Sequence, residues 1–321
     1  MRNKLVKKIQ NIGEFSFEEV ALSVFRYQAQ SNPLYAKFLD LLSIDFQQIA
    51  AIEQIPFLPI ALFKQYSIKT GQWPSEAVFT SSGTTGQTTS RHEIRSLDWY
   101  RQLSIQGFEQ QYGPLTQYCI LALLPSYLER SGSSLVYMAE QFIRQSPYPS
   151  SGFFLYDTQK LLQVLQECQT QQIPTLLIGV SFALLDLAQQ HPINLEGITI
   201  METGGMKGRR QEITRQELHD QLKMAFRVST IHSEYGMTEL LSQAYSPGEG
   251  RFYGMPSMQV HCREVTDPLH LQEQGKSGLL NIIDLANLDT CSFIATDDLG
   301  IVHKDGSFEV LGRLDHSDIR G

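Results

Sequence analysis

Cysteine is scarce in this 321-residue sequence, and its four copies lie far apart. None is spaced as C-x-x-C, which is typical of structural zinc sites and thiol redox motifs. The eight histidines also lack the H-x-x-x-H and H-E-x-x-H spacings of helix-borne metal sites. We therefore expect no Cys or His metal cage, and reduced thiols instead. The four thiols are Cys119, Cys168, Cys262 and Cys291.

Long apolar runs and an excess of positive charge are also missing. No apolar run approaches the roughly 18 residues that span a membrane, and no apolar segment of the signal-peptide kind follows the basic N-terminus. With 26 Lys and Arg against 34 Asp and Glu, the net charge is −8. A nucleic acid needs a basic partner surface, so we exclude it as the main partner. We expect a globular, cytoplasmic protein without a transmembrane segment.

Apolar runs alternate with helical patterns through the middle of the sequence. The run Tyr118–Leu124 is continuously apolar and ends at Pro125, as a buried parallel strand would. Helices are predicted between the strands, the last one at about 210–225. The other predicted strands are 152–156, 175–179, 197–201 and 228–231. This alternation predicts a parallel α/β sheet with helices on both faces.

Different patterns flank this α/β core. Residues 1–78 show helical periodicity, with a capping box predicted at Ser16 and Glu19, and we interpret them as a layer packed on the core. Beyond Gly254 helical patterns stop, and short strands separated by turn residues predict a small antiparallel β-barrel. The predicted parts are 1–78, 79–254 and 255–321.

Hydroxyl side chains dominate the stretch from Phe79 to Arg91. Eight of its thirteen residues are Ser or Thr, and two are glycine. Hydroxyls, free backbone N–H groups and a closely approaching backbone are what a phosphate cradle needs. A flexible linker has a similar composition, so both interpretations stay open at this point. A Walker A loop is disfavoured because no Gly-Lys-Ser/Thr follows Gly83 at the required spacing.

Three more polar stretches follow predicted strands, and the first two lie where open parallel sheets bind ligands. Gly204 and Gly205 would let a flat base approach the backbone. The run His232–Glu239 offers a tyrosine that can stack on a base, and a hydroxyl and carboxylate suited to an α-phosphate and its Mg²⁺. Farther along, Asp298 and Arg313 could meet a ribose. Taken singly, each stretch also has an ordinary structural explanation, such as a turn or a solvated side chain.

A serine at a strand-to-helix junction suggests a different chemistry. Residues 179–183 (Gly-Val-Ser-Phe-Ala) come close to the G-x-S-x-G nucleophile elbow of α/β-hydrolases, with alanine in place of the last glycine. His219 or His232 could act as the base for Ser181. We favour a helix cap for Ser181. The β-barrel predicted beyond Gly254 also counts against a hydrolase, because it is not the usual end of the α/β-hydrolase fold. A serine hydrolase stays open as an alternative.

Taken together, the polar stretches resemble the motifs of adenylate-forming enzymes, which include acyl- and aryl-CoA ligases, luciferases and peptide-synthetase adenylation domains. Thr80–Gly86 is similar to their phosphate loop, and Tyr235–Glu239 matches their Y-G-x-T-E. Thr296–Asp298 is similar to their T-G-D, with Asp297 in place of glycine, and Gly312–Asp315 matches their G-R-x-D. Within this superfamily the sequence most resembles the acyl-protein synthetase (long-chain-fatty-acid protein ligase) family of bacterial luminescence. The stretches that carry this finer resemblance are Ile55–Pro59, Leu124–Arg130, Met201–Arg210 and His232–Gly236.

The resemblance implies a ligase that uses ATP and Mg²⁺ to convert a carboxylic acid, of the fatty-acid class, into acyl-AMP and then transfers the acyl group to a thiol. It implies that Thr238 meets the α-phosphate, that Glu239 binds Mg²⁺, and that Arg91 supplies charge near the phosphates. It places Gly204, Gly205 and Tyr235 at the base, and Asp298 and Arg313 at the ribose. Gly236 is a further implied nucleotide-binding residue. The implied triphosphate loop consists of Ser81, Ser82, Gly83, Thr84, Thr85 and Gly86.

The sequence departs from this family in two places. Arg91 stands near the position where most members carry a lysine in the phosphate loop. The sequence ends soon after the G-R-x-D motif, so we expect no separate C-terminal lid domain. The expected partners are the acid and an acyl-acceptor protein or carrier thiol. A non-catalytic nucleotide- or acyl-binding relative is a further alternative.

Overall fold

The computed structural model describes residues 1–81, 88–125, 132–204 and 213–314. Within these ranges the α-helices are α1 (Arg2–Gln10), α2 (Phe17–Ser31), α3 (Pro33–Leu41), α4 (Leu97–Tyr112), α5 (Ser134–Gln145), α6 (Thr158–Thr170), α7 (Ser181–Gln190) and α8 (Arg215–Phe226). Short 3₁₀ helices cover Ile12–Glu14, Ile52–Gln54, Ile60–Lys64, Leu115–Gln117 and Leu285–Asn287. In these same ranges, none of the helices combines the length and apolarity that a membrane span requires.

The strands of the described residues belong to one large sheet and one hairpin. They are β1 (Leu58–Pro59), β2 (Ala77–Thr80), β3 (Arg91–Ile94), β4 (Cys119–Leu123), β5 (Gly152–Phe153), β6 (Thr175–Val180), β7 (Ile198–Thr203), β8 (His232–Tyr235), β9 (Ala244–Ser246), β10 (Arg251–Gly254), β11 (Met258–Arg263), β12 (Ser277–Asp284), β13 (Phe293–Val302) and β14 (Phe308–Arg313). Strands β2 and β3 form the hairpin.

The large sheet runs in the order β11-β12-β13-β14-β10-β9-β8-β7-β6-β4-β5, with β1 beside β13. Strands β5, β4, β6, β7 and β8 pair in parallel, whereas the pairs from β8 to β11 are antiparallel. The predicted parallel α/β core and antiparallel C-terminal strands are therefore confirmed. Pairing of β14 with β10 joins the two parts into one continuous sheet.

Burial explains why the sequence predicts the central strands. Every residue of β4 and of β6 is buried, because helices cover both faces of a parallel sheet. All four cysteines are buried free thiols, as expected. Burial raises the pKa of Cys119 and of Cys291 to about 12.

Two local predictions were wrong. The fifth strand is β8 at His232–Tyr235 rather than at 228–231, because its polar side chains are buried among other polar groups and leave no apolar run. Thr203 Oγ1, for example, donates a hydrogen bond to Glu234 Oε2. The expected capping box at Ser16 does not form, since Ser16 precedes α2 without a side-chain cap. A capping box does form at the start of α8, where Thr214 and Glu217 bond reciprocally.

Residues Asp284–Ser292 form a buried polar connection between β12 and β13, which we call the junction loop. N-terminal helices donate to it: Gln28 Nε2 bonds to Leu288 O at 3.0 Å, and Asn32 Nδ2 bonds to Thr290 O at 2.8 Å. Arg2 forms a bidentate pair with Asp289, with both N···O distances 2.6 Å. Buried carbonyls need such donors, so the N-terminal helices fix the junction loop.

Asp284, at the start of the junction loop, is fully buried. We expect its hydrogen bonds to contribute strongly to the free energy of unfolding. Its carboxylate accepts bonds from Leu241 N, Ser242 N, Ser242 Oγ and Ala286 N at 2.8, 2.9, 2.7 and 3.2 Å. Asp284→Ala leaves these donors without an acceptor and should lower the free energy of unfolding by about 3 kcal/mol. Urea unfolding measures this loss, with the exposed Asp220→Ala as the matched control. Equal unfolding midpoints for the two variants would refute the assignment.

Candidate active site

A cleft of about 340 Å³ opens beyond the carboxyl ends of the parallel strands. Its walls include Leu124 after β4, Val180 at the end of β6, Gly204 after β7 and Glu234 in β8. Neighbouring parallel strands bring their carboxyl ends to one edge of a sheet, and this is where such sheets bind ligands. The position of the cleft therefore follows from the parallel strands, whose carboxyl ends form its wall.

The predicted site residues converge here to a large extent. Those that line the cleft are Ser81, Gly204, Gly236, Thr238, Glu239 and Arg313. Asp298 lies next to Arg313, whose Nε is 3.2 Å from Asp298 Oδ1. Arg91 is exposed on β3 and is not one of the described residues that line the cleft. The remaining predicted positions, Ser82, Gly83, Thr84, Thr85, Gly86 and Gly205, lie outside the described residues.

The ends of the Ser/Thr-rich stretch are joined to each other. Thr80 pairs with Arg91 across the β2–β3 hairpin. Just beyond, Ser81 N donates to Ser90 O at 3.1 Å and Ser90 N donates to Ser81 Oγ at 2.9 Å. An interdomain linker would have its ends in different bodies, whereas these ends share one ribbon. The hairpin, which the sequence did not predict, thus argues against the linker interpretation.

Tyr235 links the two predicted ribose residues to the core. Its hydroxyl donates to Asp298 Oδ2 at 2.7 Å, and its ring packs against Phe252 and Phe308 with centroid distances of 5.8 and 5.4 Å. Burial and the neighbouring Asp298 raise the pKa of Tyr235 well above its ordinary value. Tyr235 is not among the described residues that line the cleft. Its contacts position Asp298 and, through it, Arg313.

Glu239 is a buried carboxylate facing the cleft, with 6% of its surface exposed. Burial raises its pKa, and Asp298 adds to the rise, while a hydrogen bond from Ser90 and the charge of Arg313 oppose it. An anion in this situation is stabilised by a cation. A hard carboxylate oxygen is also the donor that Mg²⁺ prefers. Glu239 therefore fits the predicted metal role.

No group of three His, Cys, Asp or Glu side chains suited to a metal occurs within residues 1–81, 88–125, 132–204 and 213–314. Magnesium held by one or two carboxylates and by substrate phosphates does not require such a group.

Gly236 packs closely against the Glu234 side chain. A Cβ at this position would lie 2.5 Å from Glu234 Oε1, closer than two such atoms approach. Any other residue at this position would require the Glu234 carboxylate at the cleft wall to shift.

His92 and Asn287 hold the backbone of the Thr238–Glu239 pair, and sequence reasoning missed both. His92 is fully buried on β3; its Nδ1 lies 2.7 Å from Thr238 O and its Nε2 3.0 Å from Thr290 Oγ1. Asn287 Nδ2 donates to Glu239 O at 2.7 Å. Because a carbonyl only accepts, Nδ1 of His92 carries a proton. No motif marked either residue, since they act on backbone rather than on a ligand.

The N-terminal part, interpreted from the sequence as a layer packed on the core, also contributes to the cleft. Its 3₁₀ helix Ile60–Lys64 supplies Ile60, Ala61 and Lys64 to the wall. Buried Phe63 packs edge-on against His92, with ring centroids 5.7 Å apart.

Ser181 is bonded in a way that a serine nucleophile is not. It is 1% exposed, and its Oγ lies 3.2 Å from Glu202 Oε2 and 3.0 Å from Gly204 O, both acceptors. Among the described contacts His219 Nε2 lies near Ser233 Oγ and Glu202 instead. A nucleophilic serine needs a base to take its proton, so the geometry disfavours the hydrolase. The expected helix cap is also wrong, because α7 starts at Ser181 after Val180.

The burial of His92 predicts a pH-dependent stability. Burial lowers the pKa of His92 from 6.5 to about 4. Below pH 6.5, His92 binds a proton in the unfolded chain but stays neutral in the folded chain. The free energy of unfolding therefore falls as the pH drops toward 4. The loss at pH 5 is about 2 kcal/mol. Denaturant unfolding at pH 7.5 and pH 5 measures it.

The variant His92→Gln isolates this contribution. The stability difference between wild type and His92→Gln should shrink by about 2 kcal/mol on going from pH 7.5 to pH 5. The exposed His270→Gln should keep the pH dependence of the wild type. Parallel curves for wild type and His92→Gln would contradict the assignment.

Comparisons with known proteins bear on the fold. A scan against protein-family models and a search of curated proteins each found no match. Solved structures do match. ATP-bound MatB from Rhodopseudomonas palustris aligns with a TM-score of 0.55 at 16% identity, over 74% of this chain and 48% of that one. An open conformation of 2-hydroxyisobutyryl-CoA ligase in complex with 2-HIB-AMP and CoA aligns with a TM-score of 0.64 at 13% identity, over 93% and 75%.

A third structure, O-succinylbenzoate coenzyme A synthetase (MenE) from Bacillus subtilis in complex with ATP and magnesium ion, aligns with a TM-score of 0.50 at 18% identity, over 76% of this chain and 51% of that one. The chain thus spans about half the length of MatB and of MenE. The finer resemblance to acyl-protein synthetases stays a prediction. At these identities the likeness concerns architecture alone. We conclude that this chain has the fold of the adenylate-forming ligases.

Proposed function

We propose that this protein is an ATP-dependent ligase that activates a carboxylic acid as acyl-AMP and passes the acyl group to a thiol. The observation that carries the proposal is convergence: Thr238 and Glu239 meet Arg313 and the ends of the hydroxyl-rich stretch in one cleft. Related folds support it, since one holds 2-HIB-AMP with CoA and another holds ATP with magnesium ion.

In the proposed reaction a carboxylate oxygen of the acid attacks the α-phosphorus of ATP. A new phosphorus–oxygen bond forms, the bond to the oxygen that bridges to the β-phosphorus breaks, and pyrophosphate leaves with the electron pair. The Thr238 hydroxyl donates a hydrogen bond to the α-phosphate, where negative charge develops. Ser81 and the loop it begins hold the leaving pyrophosphate, and Arg91 remains the predicted source of charge on that hairpin.

The nucleoside part is held by backbone and by one ion pair. Asp298 accepts from the ribose hydroxyls while Arg313 holds its carboxylate in place. Gly204, Gly205 and Gly236 leave space for the base. Glu239 would hold Mg²⁺, which supplies neutralisation of phosphate charge when bound.

The identities of acid and acceptor are finer parts of the proposal. Several apolar side chains beside the polar residues favour a fatty acyl chain; they are Leu124, Leu135, Val136, Met138 and Met237. The acceptor thiol belongs to another molecule, a carrier or a partner protein. The chain's own cysteines are buried, and burial that raises the pKa of Cys119 and Cys291 to about 12 suppresses the thiolate.

Pyrophosphate exchange into ATP across a panel of fatty and aromatic acids tests the proposal. We expect acid-dependent exchange that falls at least about 100-fold in Glu239→Gln, because the variant loses the metal-binding charge. The exposed Glu196→Gln is the matched control and should exchange at the wild-type rate. Ser181→Ala should also retain exchange.

Three outcomes would count against this function or against its assigned residues. ATP binding without exchange for any acid would favour a non-catalytic nucleotide-binding protein. Full exchange in Glu239→Gln would remove Glu239 from the site. Ester hydrolysis that is abolished by Ser181→Ala would support the serine hydrolase.

A further inference from the structure

Among the described residues that line the cleft, carboxylates outnumber cationic side chains. Of the described residues that line it, Glu234, Glu239 and Asp297 carry carboxylates, whereas Lys64 and Arg313 are cationic. Arg313 is engaged by Asp298, with Nε 3.2 Å from Oδ1. A triphosphate that enters such a cleft needs positive charge that is not already committed to a protein carboxylate.

Lys64 supplies uncommitted charge. Its side chain is exposed, and within the part of the chain that the structure describes it has no ion pair and no hydrogen-bond partner. The other basic residue beside the hydroxyl-rich stretch, Arg91, is exposed on β3 and does not line the cleft in these ranges. A lysine carries a compact charge on a flexible four-carbon stem, so its ammonium can follow a phosphate group.

The segment that carries Lys64 is fixed beside the site. Immediately before it, Leu58 and Pro59 pair in parallel with Ile294 and Ala295 of β13, the strand that continues to Asp298. Within the 3₁₀ helix, Phe63 is 1% exposed and packs on His92 of the hairpin. Lys64 directly follows Phe63. Its backbone is therefore anchored both to the strand of the ribose residue and to the hairpin that bears the hydroxyl-rich stretch.

We infer that Lys64 binds the β- and γ-phosphates of ATP across the mouth of the cleft, as a cation provided by the N-terminal part rather than by the phosphate loop. This inference rests on the proposed function. Three features support the phosphates as its target: the hydroxyls of Thr80 and Ser81 in the cleft wall, the burial of the carboxylates of Glu234 and Glu239, and the exposure of Lys64. The acid substrate, by contrast, has apolar walls available to it.

Binding of MgATP and of AMP, measured by calorimetry in parallel, separates phosphate recognition from nucleoside recognition. Lys64→Ala should weaken MgATP binding about 10-fold or more, since it removes a charge-assisted hydrogen bond. It should leave AMP binding within about 2-fold, because AMP lacks the two outer phosphates. Lys64→Arg should recover part of the loss. The exposed Lys37→Ala keeps the same change of net charge away from the cleft and should bind both nucleotides as wild type does.

The possible failures are distinguishable. Unchanged MgATP binding in Lys64→Ala, with a wild type that binds ATP, would overturn the Lys64 inference and leave the proposed function standing. Equal losses for MgATP and AMP would also overturn it, because the effect would then not depend on the outer phosphates. Equally weak MgATP binding by Lys64→Arg and Lys64→Ala would contradict a role for the charge. A wild type that binds neither nucleotide would defeat the proposed function itself.

Discussion

Two hydrogen bonds to consecutive backbone carbonyls hold the centre of this site. His92 Nδ1 bonds to Thr238 O and Asn287 Nδ2 bonds to Glu239 O, each at 2.7 Å. Without these donors the two buried carbonyls would be unpaired, which is costly. The donors come from the β2–β3 hairpin and from the junction loop. The Thr238 hydroxyl and the Glu239 carboxylate are therefore placed by segments far away in the sequence.

The same dependence on contacts between distant segments extends to the N-terminal helices. The junction loop is held by Gln28 and Asn32 of the N-terminal part, and by an ion pair between Arg2 and Asp289. Through Asp284 it also caps the residues that follow Glu239. The N-terminal helices thus stabilise a loop that orients a cleft they do not line, while the 3₁₀ helix after them reaches the cleft directly. A stabilising layer and a ligand-facing segment occur in one stretch of sequence.

Local sequence patterns predict much of the sheet and of the candidate site. The apolar runs of β4 and β6 identify buried parallel strands. The Y-G-x-T-E and G-R-x-D motifs contain Thr238, Glu239 and Arg313, which the fold brings to one cleft. The polar strand β8 was misplaced, because Ser233 and Glu234 are buried against polar partners rather than in an apolar core. His92, Asn287 and Lys64 carried no signal at all. Their roles arise from contacts between segments, which neither spacing nor composition encodes.

The central claim is that an acid oxygen attacks the α-phosphate of ATP in this cleft, and oxygen transfer tests it most directly. An acid that supports turnover is labelled with ¹⁸O in its carboxylate and incubated with the protein, MgATP and a thiol acceptor. Mass spectrometry then locates the label. The account predicts one ¹⁸O in the AMP released, and none in pyrophosphate. Label in inorganic phosphate together with ADP, or unlabelled AMP, would contradict it.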